Sequence, residues 1–313
     1  MSRLEELVGL PDAIIVTAEL PMIDTGGFPA VQRHLDQLTP WVDAINATDN
    51  TAAHAHASNV AMAVAMAKLG AEPIMQVVCR DKNRLALQAD IVGASMFGVE
   101  NICCLTGDDV TAGDEPEARR VFDLDGPQLV RVATGIGEGH YLSGRVIDPA
   151  PALFVGAVEN PYAPPLDYRV GRAVKKSENG ARFLQLQIGY HADRLKTFVA
   201  GCVAAGITDR TALLPTICLV KTPRALSFMD ANVPGIAVPA AVIGKVADAA
   251  DPNEATYQLA LDQARHALSL PGVAGIHLAD FRHDGSVARI VDDLGLRTHQ
   301  NEEQHAHGSQ LAG

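Results

Sequence analysis

Eight times along this chain a short run of β-branched and apolar residues ends in a turn, and most of these runs are followed by a segment whose apolar residues recur at helical spacing. The runs cover residues 13–19, 41–46, 73–79, 101–104, 151–158, 182–188, 213–219 and 275–279. Strands that read as almost continuous apolar runs are buried on both faces and need helices packed against them, so this alternation restricts the chain to parallel α/β architectures. Helical patterns cover residues 58–69, 126–133, 166–178, 193–205 and 286–294. Two more are marked by Leu87, Ile91 and Ala94, and by Tyr257, Leu261, Ala264 and Leu268. Together they predict a single-domain (β/α)8 TIM barrel over residues 1–298, with a doubly wound open sheet as the competing architecture. Residues 299–313 lack periodicity and read as a disordered tail. Gly135-Ile-Gly-Glu-Gly139 imitates a phosphate loop, but no suitable strand precedes it, so residues 134–149 read as a flexible crossover.

Composition narrows the function classes. A formal charge of −12 without any Lys/Arg block leaves no basic footprint for nucleic acid or an anionic membrane. No apolar run approaches the roughly 20 residues of a membrane span, and residues 1–6 carry no secretory signal pattern. Cys79, Cys103, Cys104, Cys202 and Cys218 are an odd number, mostly inside apolar runs, which reads as buried free thiols in a reducing cytoplasm.

In a parallel barrel the strand C-termini open on one mouth, where chemistry is sited. Read that way, the mouth gathers Glu19, Asp49, Asp81, Asp108, Glu159, Gln187 and Arg282. Leu105-Thr-Gly-Asp-Asp109 stands out because a glycine and two acids close an apolar strand, and the polar stretch 109–125 after it is long for a barrel connection. Turn formation and helix capping are the competing explanation for those acids. Acids with an amide and an arginine suit proton donation and recognition of a flat hydrogen-bonding ring. They form no metal site, and His54-Ala-His56 reads as solvated histidines at a helix start. On one strand, Gln185 and Gln187 share a face by the two-residue period.

Val16-Thr-Ala-Glu-Leu-Pro21, Cys79-Arg-Asp-Lys-Asn-Arg84, Leu105-Thr-Gly-Asp108, Val121-Phe-Asp-Leu-Asp125, Gly156-Ala-Val-Glu-Asn-Pro161 and Lys175-Lys-Ser-Glu-Asn-Gly-Ala181 with Gln185-Leu-Gln187 resemble the methylenetetrahydrofolate reductase family, in order over residues 13–282. The resemblance implies a (β/α)8 barrel that reduces 5,10-methylenetetrahydrofolate to 5-methyltetrahydrofolate with NAD(P)H, NADH being favoured, normally through FAD. It implies Glu19 as the general acid, Asp108 as hydrogen-bond partner of the pterin, and Gln187, Phe228 and Arg282 as folate-binding residues. Gln76, Thr106, Gly107 and Lys176 fall at cofactor positions. Such an acid works near neutral pH only where its surroundings favour the protonated carboxyl, as an apolar strand-end pocket does. Thr106 and Gly156 shed bulk and hydrogen bonding where FAD would lie, so direct hydride transfer from nicotinamide to folate stays open beside the flavin route. A folate-binding partner subunit without redox chemistry, or another folate-dependent one-carbon enzyme, are the alternatives on this scaffold. Oligomeric state stays open.

Overall fold

The computed structural model describes residues 1–296, so the tail expected over 299–313 and the last two residues of the expected barrel lie outside the described residues. Eight parallel strands pair in chain order and close on themselves, β1 (Ile15–Glu19) pairing with both β2 (Ala44–Ala47) and β8 (Gly275–Asp280). That closure excludes the open sheet. Between them run β3 (Pro73–Val78), β4 (Asn101–Leu105), β5 (Phe154–Glu159), β6 (Phe183–Leu186) and β7 (Ala212–Leu219).

The helices, in chain order, are α1 (Arg3–Val8), α2 (Gly27–Leu38), α3 (Asn59–Lys68), α4 (Arg84–Ser95), α5 (Gly126–Gly137), α6 (Asp167–Glu178), α7 (Ala192–Ala204), α8 (Pro223–Asn232), α9 (Ala240–Ala247), α10 (Pro252–Leu268) and α11 (Ser286–Asp293). Their starts follow local chemistry: Ser58, Asn83, Asp125, Thr222 and Asp251 each cap a first turn with a side-chain oxygen. Helix α1 plugs the N-terminal end of the barrel through buried Leu4 and Leu7, and Ser2 Oγ donates to Asn101 Oδ1 at 2.6 Å.

Two corrections to the sequence expectation concern helices. Residues 134–137, expected in a flexible crossover, continue α5 instead. Leu129, Ala133 and Ile136 keep one buried stripe running past Gly135, and a capping box between Asp125 and Gln128 fixes the start. Burial there outweighs the roughly 1 kcal/mol helix penalty of a glycine. Helices α1, α2, α8 and α9 carry no pattern that the sequence reading picked up.

Side chains along each strand alternate between two cores. Val16, Ala18, Ile45, Met75, Val77, Ile102 and Leu184 face the helix layer, whereas Ile15, Ala44, Ile74, Cys103, Phe154, Phe183 and Leu214 fill the barrel. Gly156 belongs to the inner set: a Cβ there would lie 2.3 Å from the Phe183 ring, which stacks on Phe154 at 5.5 Å. The volume that Gly156 vacates is therefore filled inside the barrel. This corrects the reading of Gly156 as a loss of bulk at a cofactor position.

Candidate active site

With the ordinary barrel stagger of about one residue per strand, the strand registers place inward side chains from alternate strands on shared levels. Asn46, Cys103, Gln185 and His277 occupy one level, and hydrogen bonds confirm it. Asn46 Nδ2 donates to Gln185 Oε1 at 2.8 Å, and Gln185 Nε2 returns the bond to Asn46 Oδ1 at 2.9 Å. Cys103 Sγ lies 3.6 Å from the same Gln185 oxygen, and both amide nitrogens lie 3.4 Å from ring nitrogens of His277. His277 Nδ1 meets Thr17 Oγ1 at 2.8 Å from the level below. Buried polar groups cost heavily unless satisfied, so this ring is a fixed polar floor under the mouth.

Glu19, Gln76, Val158 and Thr216 form the next level, and Thr48, Leu105, Gln187 and Ala279 the one above it. Glu19 is the last residue of β1, with its side chain 27% exposed and its Oε1 3.8 Å from His277 Nε2, just beyond hydrogen-bond reach. Gln76 is buried on β3, while Gln187, half-buried past the end of β6, folds its Oε1 onto the N–H of Ile188 at 2.8 Å. Asp108 stands three residues beyond Leu105 and is half-buried. Burial raises its carboxyl above the ordinary value, with the Arg80 guanidinium opposing. Gly107 makes that turn possible: φ is +90° and a Cβ would lie 2.3 Å from Val78 Cγ2. Thr106 Oγ1 accepts the N–H of Gly126 at 3.2 Å and so joins the strand end to α5.

The remaining candidates sit differently. Arg282 is buried, and its guanidinium donates to Val220 O, Thr256 Oγ1, Ser286 Oγ and both oxygens of Asn253, binding the β7–α8 junction to α10 and α11. Phe228 is 60% exposed on α8. Lys176 is buried, with its ammonium 2.5 Å from both Glu159 Oε2 and the carbonyl of Val158; burial holds that ammonium below its ordinary value, with Glu159 opposing. Asp49 accepts the N–H of Val78 and pairs with Lys82. Asn46, Gln185 and His277, unlike the strand-end acids, were not singled out for function by the sequence reading. Their signal was a polar residue at an inward position of an otherwise apolar run.

The five cysteines are free and buried; burial pushes the thiols of Cys79, Cys202 and Cys218 up to about 12, so they are not poised as nucleophiles. His56 Nε2 accepts from the N–H of Thr51, while His54 Nδ1 lies beside Ala52 O, so the two histidines face different neighbours. Among the described residues no group of three or more His, Cys, Asp or Glu side chains could hold a metal ion. No helix among them is long and apolar enough to cross a membrane. A cavity of about 220 Å³ opens on the flank between α7, α10 and β7, lined by none of the candidate site residues.

Several known proteins share this architecture. An uncharacterized protein from Clostridium thermocellum that binds two copies of 5-methyl-5,6,7,8-tetrahydrofolic acid superposes with a TM-score of 0.65. Identity is 13%, over 93% of this chain and 98% of that one. EDTA monooxygenase from Chelativorans sp. BNC1 superposes at 0.51 with 12% identity over 91% and 95% of the two chains. DmoA from Hyphomicrobium sulfonivorans does so at 0.51 with 12% identity over 89% and 86%. At such identities the likeness concerns the fold. No curated protein sequence matches this chain. The family model described as methylenetetrahydrofolate reductase matches residues 30–295, a span running from α2 through α11 that includes Asp108 and Gln187. On that match, and with a closed barrel to carry it, the chain belongs to the methylenetetrahydrofolate reductase family.

Proposed function

We propose that this protein reduces 5,10-methylenetetrahydrofolate to 5-methyltetrahydrofolate with NAD(P)H. The observation that carries the reading is Glu19: a partly exposed carboxyl at the rim of a family barrel, set directly above a sealed polar floor that ends in His277. The folate-bound neighbour supports a folate as the ligand of such a barrel.

Glu19 is assigned the proton donor. Its carboxyl proton goes to the bridging nitrogen of the folate as the carbon–nitrogen bond to that nitrogen breaks, leaving an electrophilic iminium. A hydride that originates on dihydronicotinamide then adds to the bridging carbon, which becomes the methyl group, so one proton and one hydride account for the reduction by either route. Asp108 and Gln187 are assigned to hold the pterin against the wall opposite Glu19, and Phe228 to offer an aromatic face from α8. Gln76, level with Glu19, is assigned a contact with the ring that stacks in the slot.

The cations on α6 fit the phosphates of a dinucleotide. Lys176, Arg169 and Arg172 surround the single carboxylate of Glu159 at 2.5, 3.5 and 3.6 Å, an excess of positive charge at a strand end, and Arg172 Nε is buried without a hydrogen-bond partner among the described residues. Either NAD(P)H or FAD offers the matching anion. FAD bound there would supply a two-electron relay between nicotinamide and folate, whereas its absence would require both substrates in one slot.

Three measurements test the proposal. The absorption spectrum of the purified protein separates the two routes: flavin bands favour the relay, and a colourless protein that oxidises NADH only with methylenetetrahydrofolate favours direct transfer. Glu19→Gln is expected to lower kcat by a factor of about 10² or more while the affinity for 5-methyltetrahydrofolate changes little. Unchanged kcat rejects Glu19 as the acid. Folate binding with no NAD(P)H oxidation by the unaltered protein favours the catalytically silent folate-binding subunit.

A further inference from the structure

Arg80, which follows β3 by two residues, is among the largest fully buried side chains, 2% exposed at the site where three strand ends meet. Its Nε and Nη2 donate to the two carboxylate oxygens of Asp81, each at 2.7 Å. Nη2 also donates to the carbonyl of Asn50 at 3.0 Å, and Nη1 to the carbonyl of Asp108 at 3.4 Å. The Asn50 side chain closes the circuit by donating to Asp81 at 3.1 Å. The backbone carbonyl of Arg80 accepts the N–H of Val121 at 2.8 Å. The loop after β2 and both ends of the long loop after β4 are thus fastened to one residue.

Backbone strain falls in the same two loops. Among the described residues, five other than glycine have φ in the left-handed region, and four of them are Asn50 (46°), Ala52 (50°), Ala53 (62°) and Phe122 (40°). An alanine gains no side-chain hydrogen bond there, so its surroundings must hold the conformation. The loops also lock onto each other. A Cβ on Gly113 would lie 1.8 Å from the carbonyl oxygen of Ala53, and the N–H of Ala55 donates to Asp114 at 3.1 Å. Arg120 pairs with Asp109 across the second loop at 2.5 Å.

We infer that Arg80 is a positioning residue that joins the β2–α3 and β4–α5 loops into one preorganised wall of the mouth and thereby fixes Asp108 before any ligand arrives. The wall follows from contacts within the chain alone; its catalytic consequence rests on the reductase reading.

Amide hydrogen exchange of the full chain tests the wall without reference to activity. In Arg80→Ala, residues 48–57 and 106–124 are expected to exchange together, about tenfold faster or more, while α5 is unchanged. Added ethylguanidinium, which refills the vacated fork, restores protection in both segments. In NADH oxidation with methylenetetrahydrofolate, kcat falls and the folate KM rises, each about fivefold or more, with the NADH KM little changed, and ethylguanidinium reverses both. Arg80→Lys keeps charge and packing for folding but lacks the planar fork, so the same two segments still loosen together. Loosening of one segment alone, or of both without rescue by ethylguanidinium, overturns the inference, as does unaltered exchange in Arg80→Lys. A wall that behaves as expected in a protein that turns over no folate sinks the reductase reading and leaves the wall standing.

Discussion

Asp108 owes its character to two opposed neighbours: the apolar strand end that buries it and the Arg80 guanidinium beneath it. Burial wins, so the folded protein holds this carboxyl proton to higher pH than the unfolded chain, whose value is near 3.8. Across that window the native state binds more protons, and stability contributed by the protonated form is lost as pH rises through the folded value. Asp108→Asn removes this dependence. Urea unfolding between pH 4 and 7 should show the unaltered protein losing stability with rising pH relative to Asp108→Asn, and parallel profiles would count against the assignment. The position of Asp108 was legible because a glycine followed by acids after an apolar run is a local signal. That Arg282 and Lys176 turn inward to Asn253 and Glu159 was not legible, because their partners lie on other elements, 29 and 17 residues away in sequence.

At the scale of elements, α5 shows what local pattern weighs against burial. Gly135 and Gly137 near its C-terminal end read as a break, yet Leu129, Ala133 and Ile136 hold one buried face that runs past Gly135. A Cβ added at Gly135 would meet only ordinary contact, 3.7 Å from the carbonyl of His140. Gly135→Ala should therefore stabilise the protein by about 0.5–1 kcal/mol in urea unfolding, since alanine loses less backbone freedom in a helix. A loss of stability would mean that the chain needs a glycine there. Most strands and the helices on their outer faces were readable from period and capping. The short helices α8 and α9 were missed because they bury only Leu226 and Met229, and Val246, against the cluster at the end of β7 instead of presenting a long stripe.

For the whole molecule, closure of the barrel depends on how near β8 approaches β1. Gly275 pairs with Ile15, and a Cβ there would sit 1.9 Å from that residue's carbonyl oxygen, backbone against backbone with nothing able to yield. Gly275→Ala should prise the seam and cost about 3 kcal/mol or more, measured as a lower urea midpoint or as loss of soluble protein. A near-neutral effect would mean that the seam has room to yield and does not depend on this glycine. Local sequence settled that strands and helices alternate, that the strands are buried on both faces, and which residues of each strand share a face, because the periods of 2 and 3.6 are properties of the backbone. It did not settle which residues of different strands share a level. Asn46, Gln185 and His277 meet beneath Glu19 because of the stagger between strands far apart in the chain, and that stagger is fixed only when the sheet twists and closes on itself.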